Sequence, residues 1–195
     1  MIDVPLTVAE VRNCITDGAM AYATFKNRKG HYGTPSSNSL ESHVIAKLGE
    51  AAVEKWLQGA VPGVAIDALF RDPVHTEDCD LVARVAERTL RVEVKCWNHG
   101  VSWERGGRCV VPGQIDSITA HADVVVWCRL SRHLERLEDL RLAKADVDLM
   151  GWSAPAEIRA RKSVNTSWTG EITPNHQIPV EAMHDVEELL QRLRA

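Results

Sequence analysis

No stretch of this 195-residue chain approaches the ~20 consecutive apolar residues that a helix needs to cross a bilayer. The opening segment, Met1 to Val11, also lacks the basic and then apolar pattern of a secretory leader. The expectation is a soluble protein of the cytoplasm with no membrane partner. Cysteines are few and irregularly spaced. Cys14, Cys79, Cys96, Cys109 and Cys128 are odd in number and form no CxxC pair and no zinc-finger spacing with the eight histidines. A disulfide scaffold or zinc ribbon is therefore not expected, and buried free thiols in a reducing compartment are. Positive charge is short as well. A net charge of -4 counts against a nucleic-acid binder that works through overall charge, leaving only a local basic face or an acidic site neutralised by metal. The chain has no internal repeat and no low-complexity tract.

What is present is an ordinary globular balance, 45% hydrophobic and 26% charged, in a length that suits one domain over residues 1–195. Within it, residues 1–39 read as an N-terminal helix and basic loop, 40–130 as the core, and 131–195 as a C-terminal α/β extension. Thr7 and Glu10 have the spacing of a capping box, and Val8, Val11, Ile15, Ala19 and Tyr22 continue it as an amphipathic helix to about Phe25. Lys26 to Ser39 is rich in glycine, serine and basic residues. Its Lys26, Arg28, Lys29 and His31 are candidates for gripping phosphates, or simply a solvated linker.

A second helix is expected to begin after Asn38 or Ser39 and run to about Leu57, with Leu40, Val44, Leu48, Ala51 and Ala52 as its stripe. Glu50 lies off that stripe, so periodicity alone makes it a surface carboxylate. A strand is expected around Val64 to Phe70. After residue 95 come a long loop to Gly107, a third short strand at RCVVP, a short helix from Gly113 and a fully buried strand from Asp123 to Leu130. The order is helix, three strands, helix, strand. Arg132 to Lys144 is ambiguous, VDLMGW suggests one more strand, SAPAEIRARK a short helix, Ser163 to Pro179 an irregular segment, and the last helix begins at about Val180.

The most informative stretch is Asp80 to Lys95, DLVARVAERTLRVEVK. Two alternating runs flank a polar AERT segment, the pattern of a tight hairpin. A turn centred between Glu87 and Arg88 pairs Val85 with Leu90 and Asp80 with Lys95. Leu81, Ala83 and Val85 then share an apolar face with Leu90, Val92 and Val94, while Asp80, Glu93 and Lys95 share the other. A one-residue slip would drive the charges into the valine layer.

Two carboxylates in one pocket repel, and both stay ionised when a cation lies between them. Oxygen ligands favour Mg²⁺ or Mn²⁺, which accept phosphate oxygens from a substrate and acidify a water. Lys95 would orient or deprotonate that water or stabilise the phosphorane. The plain alternative is a cross-strand salt bridge on a solvated face.

Asp80 followed thirteen positions later by Glu93-Val94-Lys95, preceded by a helix with Gly49-Glu50 and followed by a strand, a helix carrying Gln114 and a buried strand, resembles the PD-(D/E)XK nuclease superfamily. The resemblance spans about Leu40 to Leu130. It implies a restriction-endonuclease-like α/β core, a mixed central sheet of αβββαβ order flanked by helices, and metal-dependent hydrolysis of DNA. Asp80 and Glu93 match the metal ligands, with the main-chain carbonyl of Val94 a third and Glu50 the acidic residue of the first core helix. Lys95 matches the active-site lysine, and Gln114 a glutamine that several members carry near the site. Cys79 stands where many members have proline, Ile118 where one branch has tyrosine, and Asp78 competes with Asp80 as the ligand.

Around this core, Arg105, Arg108, Arg159, Arg161 and Lys162 are candidate backbone contacts to DNA. His75 and His99 flank the hairpin. Trp97 and Trp103 are candidates for stacking on bases, whereas Trp56, Trp127 and Trp152 suit the core. The expected protein is a Mg²⁺- or Mn²⁺-dependent nuclease, a homodimer if it cuts both strands. The alternatives are a non-catalytic nucleic-acid-binding module and a regulatory protein.

Overall fold

The computed structural model describes residues 1–25, 39–72, 79–100, 103, 109–110, 112–140, 143–161, 163–167 and 172–194, with only the backbone over 163–167 and 172–173. A six-stranded mixed sheet runs β1(Ile2–Leu6), β7(Ala145–Ser153), β6(Val124–Leu130), β4(Arg88–Trp97), β3(Leu81–Val85), β2(Ala65–Asp67) in spatial order. Only the β4–β6 pair is parallel, and the other neighbours are antiparallel. Helices α1(Val8–Phe25) and α2(Leu40–Ala60) cover one face. On the other lie α3(Pro112–His121), the short α4(Pro155–Ala160) and an antiparallel three-stranded sheet of β5(Cys109–Val110), β9(Ile172–Gln177) and β8(Ser163–Ser167). The last helix is α5(Glu188–Arg194).

Local chemistry explains where the helices start. The Thr7 amide donates to Glu10 Oε2 at 2.6 Å and the Glu10 amide to Thr7 Oγ1 at 3.3 Å, the expected capping box. Helix α2 is capped reciprocally by Ser39 and Ser42 and ends at Val61, just before Pro62 and Gly63, whose φ is +75°. Helix α2 is the centre of the larger core. It meets α1 on one side and β4, β6, β7 and β1 on the other. Two glycines permit this. A Cβ on Gly18 of α1 would come within 2.8 Å of Val44, and one on Gly49 within 2.4 Å of Cys96 on β4. Such a helix has little solvent-facing surface, so its buried set widens beyond one stripe to include His43, Ile45, Val53 and Glu50. Leu40, by contrast, is exposed.

The hairpin faces are as expected, but the register is not. Val85 pairs with Arg88 rather than Leu90, and Leu81 with Val92, a shift of two residues. The turn is the two-residue Ala86-Glu87, with Ala86 at φ +50°, a positive φ at its first central position. Because the side-chain period is two, an even slip leaves every residue on its face. Leu81, Ala83, Leu90, Val92 and Val94 therefore join the α1–α2 core, with Val85 at its margin. Helix α5 lies against β3 and β4, and its Leu189 and Leu193 enter the same core.

Several other expectations change. The strand expected over Val64 to Phe70 is only Ala65–Asp67, followed by a 3-10 turn at Leu69–Arg71. The chain order is α2, β2, β3, β4, β5, α3, β6, and the strand at RCVVP, expected as the third, belongs to the second sheet, where β5 pairs with β9; the order helix, three strands, helix, strand is met only by the central-sheet strands, as α2, β2, β3, β4, α3, β6. Strand β4 runs through Trp97, which shortens the expected loop. The stretch expected to be irregular, Ser163 to Pro179, holds the β8–β9 hairpin, and a 3-10 turn at Val180–Ala182 precedes the last helix, which starts at Glu188. Residues 1–39 and 131–195 each add a strand, β1 and β7, to the central sheet. Among the described residues no helix is long and apolar enough to cross a membrane. Cys14, Cys79, Cys109 and Cys128 are buried free thiols and Cys96 is half-buried. Burial pushes Cys14 up to about 12, which suits an inert core thiol.

Candidate active site

Asp80 is the residue just before β3. Its Oδ2 accepts the Val94 amide at 2.7 Å, so it caps the point where β4 runs on past the start of β3. The N–H and C=O of a strand residue face the same edge, so the Val94 carbonyl is directed to Asp80's side of β4. Glu93 and Lys95 flank Val94 on the opposite face from the α2 core, half-buried, with Lys95 Nζ 2.6 Å from Glu93 Oε1. The neighbouring parallel strand puts Val125 beside Glu93 and Trp127 beside Lys95. Trp127 is fully buried and donates its Nε1 to Ser153 Oγ, so one wall of the charged group is apolar.

Glu50 overturns the periodicity argument. It is 4% exposed rather than on the surface, and its charge acts on the same group. Beside it, one turn back on α2, Lys47 Nζ lies 2.8 Å from Glu50 Oε2 and donates to the Phe70 carbonyl at 2.9 Å. Lys47 was not expected from the chemistry of the motif. The signal for it was the i,i+3 Lys–Glu spacing on α2.

The titration of the group follows from this crowding. Burial, then the negative charges of Glu93 and Glu50, raise Asp80 well above the usual carboxylate range, against Lys95 and Lys47. Glu50 is raised by burial above all and by Glu93, with Lys47 and Lys95 opposing. Burial disfavours the charge on Lys47, but Glu50 and Asp80 outweigh it and hold its pKa up. Three carboxylates thus share a poorly hydrated site with two ammonium groups.

The oxygen donors Asp80, Glu93 and Glu50, with the Val94 carbonyl, have the chemistry of a hard divalent cation site, and such an ion relieves the crowding that raises Asp80 and Glu50. Among the described residues, though, no three His, Cys, Asp or Glu side chains stand together at metal-ligand spacing. Lys95 holds an oxygen of Glu93, and Lys47 lies against one of Glu50.

The remaining candidates divide. Gln114 is half-buried in the first turn of α3, the helix on the same side of the sheet as Glu93 and Lys95. Trp97 is half-buried against the smaller core, but Trp103 is 2% exposed within that core, so it is not a stacking platform for bases. Trp56, Trp127 and Trp152 are core residues as expected. His99 is half-buried and donates its amide to Asn98 Oδ1. Arg159 is exposed and paired with Asp116, and Arg161 is exposed with its carbonyl accepting from His176. Lys26, Arg28, Lys29, His31, His75, Asp78, Arg105, Arg108 and Lys162 lie outside the described residues.

No family model, no curated protein and no solved structure matches this chain.

Proposed function

We propose that this chain is a restriction-endonuclease-like nuclease of the PD-(D/E)XK type that hydrolyses DNA phosphodiester bonds with Mg²⁺ or Mn²⁺. One observation carries the reading. Asp80 bonds to the Val94 amide between Glu93 and Lys95, and buried Glu50 acts on the same group from α2. The order of the central-sheet strands and their helices, α2, β2, β3, β4, α3, β6, supports it.

Asp80, Glu93 and the Val94 carbonyl would hold the ion, with Glu50 reaching it directly or through water. A divalent ion there supplies an acidified water and neutralises charge on the scissile phosphate. Lys95, released from Glu93, orients the water and stabilises negative charge on the phosphorane. Gln114 would help position the substrate. Lys26, Arg28, Lys29, Arg105 and Arg108 are the candidate backbone contacts, and a homodimer would bring two sites to the two strands of a duplex.

The ion pairs Lys95–Glu93 and Lys47–Glu50 favour a second reading, in which the charges satisfy one another and the protein binds nucleic acid or regulates without turnover. Mn²⁺ titration together with cleavage assays on duplex, nicked and single-stranded DNA separates the two. The nuclease reading expects saturable Mn²⁺ binding that is lost in Asp80→Ala and Glu93→Ala. It also expects Lys95→Ala to lose about 10³-fold or more in cleavage while still binding Mn²⁺, the scale of removing one transition-state donor. Wild-type protein that binds no divalent ion would leave only the second reading.

A further inference from the structure

We propose that Lys47 is a positioning residue that sets the two acidic groups of this site together, Glu50 through its carboxylate and Asp80 through the Phe70 peptide. Its effect on metal binding rests on the nuclease reading above, whereas its geometry does not. Lys47 is on α2, and its side chain is only 11% exposed. It lies 2.8 Å from Glu50 Oε2, and it donates to the Phe70 carbonyl at 2.9 Å. The amide of the same Phe70 donates to the Asp80 carbonyl at 3.0 Å. One ammonium group is therefore one residue removed from the backbone of Asp80 and in direct contact with Glu50, although the two acids come from separate elements.

The surrounding contacts make this linkage stiff. Lys47 Nζ also lies 5.2 Å from the centre of the Phe70 ring, and Arg71 covers that ring at 4.6 Å. Arg71 in turn pairs with Glu54 of α2 and Asp17 of α1. The 3-10 turn of Leu69–Arg71 is thus fastened to the two helices at both its ring and its carbonyl, and its other end holds Asp80. An ammonium on a four-carbon stem suits this role because it donates to the Phe70 carbonyl while its charge lies against Glu50. A neutral side chain there would leave buried Glu50 without the positive charge that lies against it.

The Val94 amide gives a readout that needs no metal, since its 2.7 Å bond to Asp80 Oδ2 is short and sensitive to where that carboxylate stands. The experiment records the Val94 amide resonance in metal-free protein, and Mn²⁺ half-saturation by electron paramagnetic resonance. The variants are Lys47→Met, Lys47→Gln and Lys47→Arg, with Leu57→Ala, a buried α2 substitution, as a control of lowered stability. The neutral variants should move the Val94 resonance and raise Mn²⁺ half-saturation by about 10–100-fold, the range for residues that orient metal ligands. Lys47→Arg should recover most of both. If Lys47→Met does not fold, Lys47→Gln, which is polar but uncharged, carries the same readings. A Val94 resonance unmoved in the neutral variants, or moved as far by Leu57→Ala, overturns the proposal. Wild-type protein that binds no Mn²⁺ instead removes the nuclease reading, and the amide measurement still decides the role of Lys47.

Discussion

On one face of the β3–β4 hairpin, Leu81, Ala83, Leu90, Val92 and Val94 are buried against the α1–α2 core. On the other, Asp80, Glu93 and Lys95 are half-buried beside a fully buried tryptophan. Both faces are made by alternate residues of the same two strands in the same register, yet they contribute to stability with opposite sign. The apolar face gains from removal of its area from water. The charged face sets Asp80 beside Glu93, and burial together with that negative charge makes Asp80 resist ionisation, a cost that a bound cation would offset. The apolar core and the charged group are thus separated by the thickness of one strand.

That contrast can be broken by substitutions on each face. The largest loss of stability is expected for Leu81→Ala, at a fully buried position. It should cost about 2–5 kcal/mol in denaturant unfolding, with the cavity adding to the lost transfer energy. Gly49→Ala is next, because its Cβ would meet the Cys96 Cβ at 2.4 Å and push α2 off β4. Overpacking of that kind costs about 1–3 kcal/mol, and it should weaken Mn²⁺ binding as well, since α2 brings Glu50.

Asp80→Asn should act in the opposite direction. The amide oxygen can still accept from Val94, while the charge that Glu93 and Glu50 oppose is gone. The melting temperature should rise at neutral pH, by about 2–4 °C for each kcal/mol recovered in a domain of this size, as any Mn²⁺ binding is lost. The pH dependence has a definite sign. Between the ordinary aspartate pKa and the raised folded one, native Asp80 keeps a proton that the unfolded chain has released, so wild-type stability falls as pH rises through that window. The advantage of Asp80→Asn should therefore be absent in acid and grow as pH rises through the folded pKa, which paired thermal melts across pH would measure. A difference that did not vary with pH would mean that charge repulsion is not its cause.

The smallest effect concerns the turn that sets both faces. Ala86 has φ +50°, where a side chain is disfavoured. Ala86→Gly should stabilise the protein by about 0.5–1 kcal/mol once the greater freedom of glycine in the unfolded chain is counted. The faces should be unchanged.

How far the sequence reached can be read from these same residues. The faces of the hairpin were legible because alternation is a strict two-residue signal, and the same property hid the two-residue error in register. A pattern of period two cannot see an even slip, and the turn that decided it places an alanine where glycine is favoured. The fully buried β6, the capping box of α1 and the start of α2 were legible from short local rules. Strand β1 and the β8–β9 hairpin were not, because short strands of mixed polarity acquire their structure from the partners they pair with. Trp103 illustrates the same point, since nothing in its neighbours in sequence distinguished a core tryptophan from one free to stack on a base.

By itself, then, the sequence determined the alternating hairpin, the capped first helix, the start of the second and the set Asp80, Glu93 and Lys95 on one face, since local periodicity and capping act within a few residues. Only the tertiary structure decided the environment of Glu50 and the part played by Lys47. Helix α2 is covered by α1 at Gly18 and by β4 at Gly49, so a carboxylate outside its main stripe is buried all the same. Burial from two directions depends on which elements meet across the fold, and no single helical period records it.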